Sequence, residues 1–235
     1  MDLTELDAVG GFFALRTDPS GGKGAPLARL YAGETAPLTS RIDTVAARLG
    51  TAERRVAASV AHLGLAARLW SIALGSAALH GEIPDLDPAR LHWAPERSAP
   101  DDLWLTGSGS LSATAVTLRE AVQYGHLVPL ADALRQDSPV SRQLLWGNAG
   151  SALAGAVRML ADWARRGGRT AVGERAAVGE RAAALAAELL SHPDLAGTVR
   201  GPAMRRSTCC LYYRVPGGGL CGDCVFDRPP RRTAQ

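Results

Sequence analysis

TAERRVAASVAHLGLAARLWSIALGSAAL, residues 51–79, is the stretch on which the fold turns. Val56, Val60, Leu63, Ala67, Trp70 and Leu74 recur at steps of three and four, the spacing of one apolar stripe on a helix. Thr51 reads as its cap, and the helix is expected to run to Ala78 or Leu79. His62 lies on it and His80 at its end; a lone helical histidine is more often structural or solvated than a metal ligand. Just upstream, Ser40 reads as the cap of a helix ending at Leu49, with Gly50 as its stop.

The same texture extends downstream. Helices are expected over Ser112–Tyr124 and Val128–Gln136, then over Pro139–Arg165, with Ser138 as cap and Pro139 in the first turn. Leu144, Leu145, Leu153, Val157, Leu160 and Trp163 would form the buried face of the last of these. Gly147-Asn148 is a poor pair inside a helix and signals a kink or a close approach. Residues 171–182 are a tandem hexapeptide, AVGERA twice. Six residues advance a helix by about one and two-thirds turns, so equivalent positions fall on different faces. A helix is expected to continue to about Ser191, with a short helical turn after Pro193.

Strands are few. Residues 1–39 read as an acidic helical start, then two short strands around the loop Asp18–Gly24, then an apolar piece ending at Tyr31. Pro84, Pro88, Pro95 and Pro100 forbid a helix between Gly81 and Gly109. Arg90–Ala94 and Asp102–Thr106 read there as a hairpin whose tryptophans, Trp93 and Trp104, lid the helical core. The fold class is therefore mainly α (α+β): a helical domain with a few short strands and a C-terminal cysteine loop. Residues 1–200 would form the scaffold, 201–227 the cysteine-bearing segment, and 228–235 a disordered tail.

The chain has 235 residues and a formal net charge of +3, so no global field favours nucleic acid. Its Gly21-Gly22-Lys23-Gly24 and Gly107-Ser108-Gly109-Ser110 runs lack the flanking residues of a nucleotide loop. The acidic start is unlike a signal peptide, and Arg68 interrupts the most apolar run, so no membrane span and a cytoplasmic location are expected.

All four cysteines fall in one stretch, Cys209-Cys210 and Cys221-Gly222-Asp223-Cys224, the pattern C-C-x10-C-x2-C. In a reducing compartment clustered cysteines are more often ligands than disulfides. Structural zinc prefers two well-separated C-x2–4-C knuckles, and a vicinal pair serves one small ion poorly. A [2Fe–2S] rhomb takes two thiolates per iron and tolerates such a pair better. Spacing thus favours a cluster over zinc, with a disulfide behind both. Arg205, Arg206 and Arg214 could offset a cluster's negative charge and raise its reduction potential. Gly217–Gly219 and Gly222 could turn backbone N–H groups toward sulfur.

The run from Arg206 to Arg214, followed by Cys221–Cys224, resembles the C-terminal cluster motif of the FhuF-type ferric-siderophore reductases. Leu145–Asn148 and Glu53–Ser59 resemble further segments of that family. The resemblance implies a cytosolic protein whose Cys209, Cys210, Cys221 and Cys224 hold a [2Fe–2S] cluster. That cluster would pass one electron to Fe(III) in a ferric siderophore, typically a hydroxamate. An external electron donor is also implied, such as a ferredoxin or a flavin-linked reductase. Arg206, Tyr213, Arg214 and Trp146 are candidates to line the docking groove. An iron–sulfur redox sensor and a siderophore-binding protein with structural zinc are the alternatives.

Overall fold

A computed structural model describes residues 2–17, 24–166 and 172–230, the side chains of residues 172–174 excepted. The molecule is mainly helical and built around α3 (Arg54–His80), on which α2 (Ala36–Leu49), α5 (Val128–Asp137), α6 (Arg142–Arg166) and α7 (Val172–Ser191) pack. Each helix covers a different sector of α3, so Ala57, Ala58, Leu65, Leu69, Ile72 and Ala73 are as buried as Val56, Trp70 and Leu74. The expected single stripe is therefore corrected. A helix enclosed on nearly all sides has no solvent face, and Val60, Leu63 and Ala67 lie on its least covered side. By length and composition α3 could cross a membrane, but most of that stretch is covered by the rest of the protein.

Helix ends follow local chemistry. Gly50 and Gly81 end α2 and α3 with φ of 60° and 71°, a left-handed turn that a Cβ would disfavour. At the other end α2 begins four residues before Ser40, because Pro37 supplies the fixed φ of a first turn. Thr51 Oγ1 accepts from Glu53 N at 3.2 Å, and α3 starts one residue later. Ser141 replaces Ser138 at the start of α6, its Oγ accepting from Leu144 N at 3.4 Å.

The two helices expected over 112–136 are one uninterrupted helical stretch. It passes from α4 (Ala115–Leu118), capped by Thr114 Oγ1 on Thr117 N at 3.0 Å, through a π-helical segment at Arg119–Leu127 into α5. Pro129 explains the wider turn: its ring cannot sit beneath a tight helical carbonyl ladder and it has no N–H to donate.

Asp2 caps a 3-10 turn over Leu3–Ala8 by accepting from Thr4 N at 2.9 Å. The apolar piece ending at Tyr31 is β1 (Ala25–Pro26) and a helical turn, α1 (Leu27–Tyr31). The Arg90–Ala94 and Asp102–Thr106 hairpin is β3 (Leu91–Trp93) against β4 (Leu103–Leu105), and β1 adds to it antiparallel in the order β1-β3-β4. Arg16 forms an isolated bridge with Trp104; residues 18–23 of the expected loop lie outside the described residues. Trp93 and Trp104 are both buried, Trp93 in the hydrophobic core as a lid and Trp104 beneath the Arg97 guanidinium, 5.5 Å from its ring centre. β2 (Glu82–Pro84) pairs with β5 (Ser110–Ser112) just after α3.

Arg68 of α3 is buried, with Nε on Asp102 Oδ1 at 2.9 Å and its amino groups on the carbonyls of Gly11, Phe12, Ala14 and Pro100. One guanidinium thus ties the N-terminal segment and the β4 loop to the central helix. In α7 the tandem copies differ as helical geometry requires: Ala176 is exposed and its equivalent Ala182 is buried. Ala171 and residues 231–235 of the expected tail lie outside the described residues.

Candidate metal centre

After α7 the chain turns through Pro193–Gly197 into β6 (Val199–Arg200), which pairs antiparallel with β7 (Arg205–Arg206). The expected boundary at 200/201 falls in the turn between them. This hairpin lies across α6, whose surface is cut away to receive it. A Cβ on Gly147 would stand 1.8 Å from Thr208 Oγ1, and one on Gly150 2.1 Å from Thr198 Oγ1. The poor helix pair at 147–148 therefore marks a close approach: bare backbone lets the cysteine segment sit directly on the helix.

Asn148, between those glycines, is fully buried. Its Nδ2 donates to Ser59 O at 2.9 Å and Ser59 Oγ at 3.2 Å, and Ser59 Oγ donates to Cys210 O at 2.8 Å. Asn148 Oδ1 accepts from Arg206 Nη2, while Arg206 Nε donates to Thr208 O at 2.8 Å. One turn along α6, Ser151 Oγ donates to Asp223 Oδ2 at 2.6 Å, and Asp223 O accepts from Arg206 N at 3.0 Å. The α3–α6 crossing thus holds both arms of the cysteine loop.

The four thiols are free, Cys210 and Cys224 buried, Cys209 and Cys221 half-buried. Leu211, at φ 69°, swings its N–H back to Cys209 Sγ at 3.2 Å, and Phe226 N donates to Cys224 Sγ at 3.4 Å. A left-handed conformation at a branched residue is uncommon; the N–H···S contact accompanies it. Tyr212 N–H bonds Cys210. These donors are Leu211, Tyr212 and Phe226, not the glycines singled out in the sequence; Gly217, at φ 68°, makes the turn between the arms.

The thiols also feel one another. A hydrogen bond from Cys221 brings Cys210 down to about 7, against desolvation and with help from Arg206. Cys221 is pushed up by the same hydrogen bond, by burial and by the neighbouring charge. Burial raises Cys209 and Cys224. Asp223 Oδ1 accepts from Cys221 at 3.7 Å, and Arg158 approaches its other oxygen at 4.0 Å. Among the described residues no three His, Cys, Asp or Glu side chains gather as a single ion would require.

The other candidates fall in three places. Arg206 is 2% exposed, inside the loop and not at its surface, and its Nη1 has no hydrogen-bond partner among the described residues. Arg214 is bound to Glu53, at the start of α3, at 2.7 Å; Tyr213 stacks edge-on against Phe226. Trp146 is half-buried and lines a cavity of about 20 Å³ with His62, Leu127 and Arg142. His62 is buried, held down to about 4 by desolvation and then by Arg206. Arg205 caps the far arm, donating to Cys224 O at 2.6 Å and pairing with Asp227 at 2.7 Å.

Sequence reasoning missed Ser59, Asn148, Ser151 and Asp223 as parts of the site. Ser59 and Asn148 do sit in segments 53–59 and 145–148, which the sequence had singled out, and the loop is bonded to both.

An all-thiol donor set, backbone N–H groups already turned to sulfur and a buried guanidinium with one open donor fit a negatively charged iron–sulfur group. No curated protein matches the chain. Residues 206–226 match the family model of the FhuF 2Fe-2S C-terminal domain, a domain that carries a [2Fe–2S] cluster. The cysteine segment of this chain is therefore similar to the 2Fe-2S C-terminal domain of the FhuF type.

Proposed function

We propose that this protein is a cytoplasmic ferric-siderophore reductase that reduces chelated Fe(III), in a hydroxamate siderophore, to Fe(II) by one electron. The observation that carries the reading is the match of residues 206–226, with all four free thiols inside it, seated on segments 53–59 and 145–148. Residues 201–227 would act as the cluster-binding unit on a helical scaffold of residues 1–200. Cys209, Cys210, Cys221 and Cys224 would hold the cluster, which when bound supplies single electrons at a potential set by its surroundings.

The chain's own residues do the rest. Cys210 and Cys224 anchor the buried side, and half-buried Cys209 and Cys221 form the side nearest solvent, where an electron can enter or leave. Tyr213 and Arg214, half-buried beside them in sequence, are the candidate substrate contacts with surface to offer. Arg206 is buried inside the loop, whereas Trp146, half-buried, would meet substrate only through the small cavity it lines. Hard siderophore oxygens hold Fe(III) far better than Fe(II), so reduction loosens the chelate. The electron comes from an external donor such as a ferredoxin or flavin-linked reductase.

Anaerobically purified protein should be red-brown with about two irons and two sulfides per chain. Once reduced by dithionite, it should be reoxidised by a ferric hydroxamate, with Fe(II) captured by a trap. One zinc and no visible bands would refute the reading, as would an intact cluster that passes no electron to any of several siderophores. Cys221→Ser should lose cluster and activity together.

A further inference from the structure

Buried polar groups at a helix crossing need a reason, because each costs free energy unless its partners are all supplied. Asn148 and Ser59 lie fully buried at the α3–α6 crossing, beside the hydrophobic core. Every contact they make beyond each other leads to the cysteine loop. Ser59 Oγ holds the carbonyl of Cys210, and Asn148 Oδ1 holds the guanidinium of Arg206. Among the described residues that guanidinium has no acidic partner: its contacts are Asn148 Oδ1 and Thr208 O, with Nη1 open. Arg206 N donates to Asp223 O and its Nε to Thr208 O, so the residue is bonded into both arms of the cysteine loop.

Resting on the cluster reading above, we infer that Asn148 is a positioning residue that locks Arg206 beside the thiolates and thereby sets the reduction potential of the centre. An uncompensated cation in a low-dielectric site favours the more negative state, and reduction adds one negative charge. A neutral amide suits the task. It offers an acceptor to Arg206 and two donors to Ser59, whereas a carboxylate there would cancel the charge it positions. The same amide fixes Cys210 through Ser59, so the charge and the ligand share one anchor and keep their separation. Glu53 takes Arg214 and Asp227 takes Arg205, which leaves Arg206, among the three arginines near the cysteines, without an acidic side chain bonded to it.

The test is potentiometric titration of the loaded protein followed by electron paramagnetic resonance, on wild type, Arg206→Gln, Asn148→Ala and the double variant. Arg206→Gln should disfavour reduction about tenfold, which for one electron is about 59 mV more negative. Asn148→Ala should shift the potential the same way by a sizeable part of that. The double variant should match Arg206→Gln alone, since Asn148 acts through the guanidinium. A wild-type potential in Asn148→Ala, or additive shifts in the double variant, would overturn the inference. If Asn148→Ala binds no iron, Asn148→Ser takes its place. Both clusterless while Arg206→Gln loads fully would overturn it too, because Asn148 would then serve assembly and not charge. A wild type without iron refutes the underlying reading instead, so the two failures are told apart.

Discussion

Gly147→Ala asks whether the cysteine loop rests on bare helix backbone. In a helix interior, alanine in place of glycine stabilises by about 1 kcal/mol. Gly155 of α6 should show that gain, because a Cβ there meets only Arg158 Nη2 at 3.8 Å. At Gly147 the new methyl would lie 1.8 Å from Thr208 Oγ1 and 3.1 Å from Thr208 Cβ. Rotating the threonine removes the first overlap without breaking a hydrogen bond, since that hydroxyl has no partner. The Cβ cannot rotate away, so the backbone beside Cys209 must retreat by a few tenths of an ångström. Overpacking of this kind costs about 1–3 kcal/mol. The two variants on one helix should therefore differ by about 1–3 kcal/mol, and about 2–4 °C of melting temperature accompanies each kcal/mol at this size. Thermal unfolding and iron content of both proteins provide the assay. Gly155→Ala should melt higher with full iron, and Gly147→Ala lower with reduced iron. Adding Thr208→Gly, which removes that Cβ, should restore part of the loss. Gly147→Ala as stable as Gly155→Ala, with undiminished iron, would refute the close approach.

Other expectations concern the scaffold. Asp102→Ala strands the buried Arg68 charge and should destabilise the fold by about 3–5 kcal/mol in denaturant titration; a cost below about 1 kcal/mol would contradict the buried pair. His126 is buried between Tyr31 Oη and Leu86 O, and desolvation lowers it from 6.5 to about 4. The unfolded chain then takes up the proton first. Stability is full above pH about 6.5, falls as pH drops toward 4, and is lower by about 2 kcal/mol at pH 5 from this residue alone. His62, lowered to about 4 chiefly by burial, adds to the same slope. Denaturation midpoints unchanged between pH 7.5 and 5 would contradict both.

The sequence made the central helix, its glycine stops and the β3–β4 hairpin legible, because each is announced within a few residues: apolar spacing, a Gly at the end, prolines that exclude helix. It misjudged the start of α6 and the π-helical segment. Ser138 and Ser141 are equally good caps in isolation, and Pro129 can be absorbed by a wider turn as well as by a break. It misread the sides of α3, since a stripe can be counted from sequence but the number of neighbours around a helix cannot.

The cysteine pattern by itself singled out the candidate donors and favoured an iron–sulfur cluster over zinc, because four thiols at that spacing restrict what can bind. The tertiary structure alone decided what surrounds them. Arg206 looks like any surface arginine until the hairpin folds onto α6 and buries it. Asn148 and Ser59 lie 89 residues apart and meet only at the helix crossing. Spacing along a chain fixes which atoms are near in sequence, but the electrostatics of a site depend on burial and long-range packing.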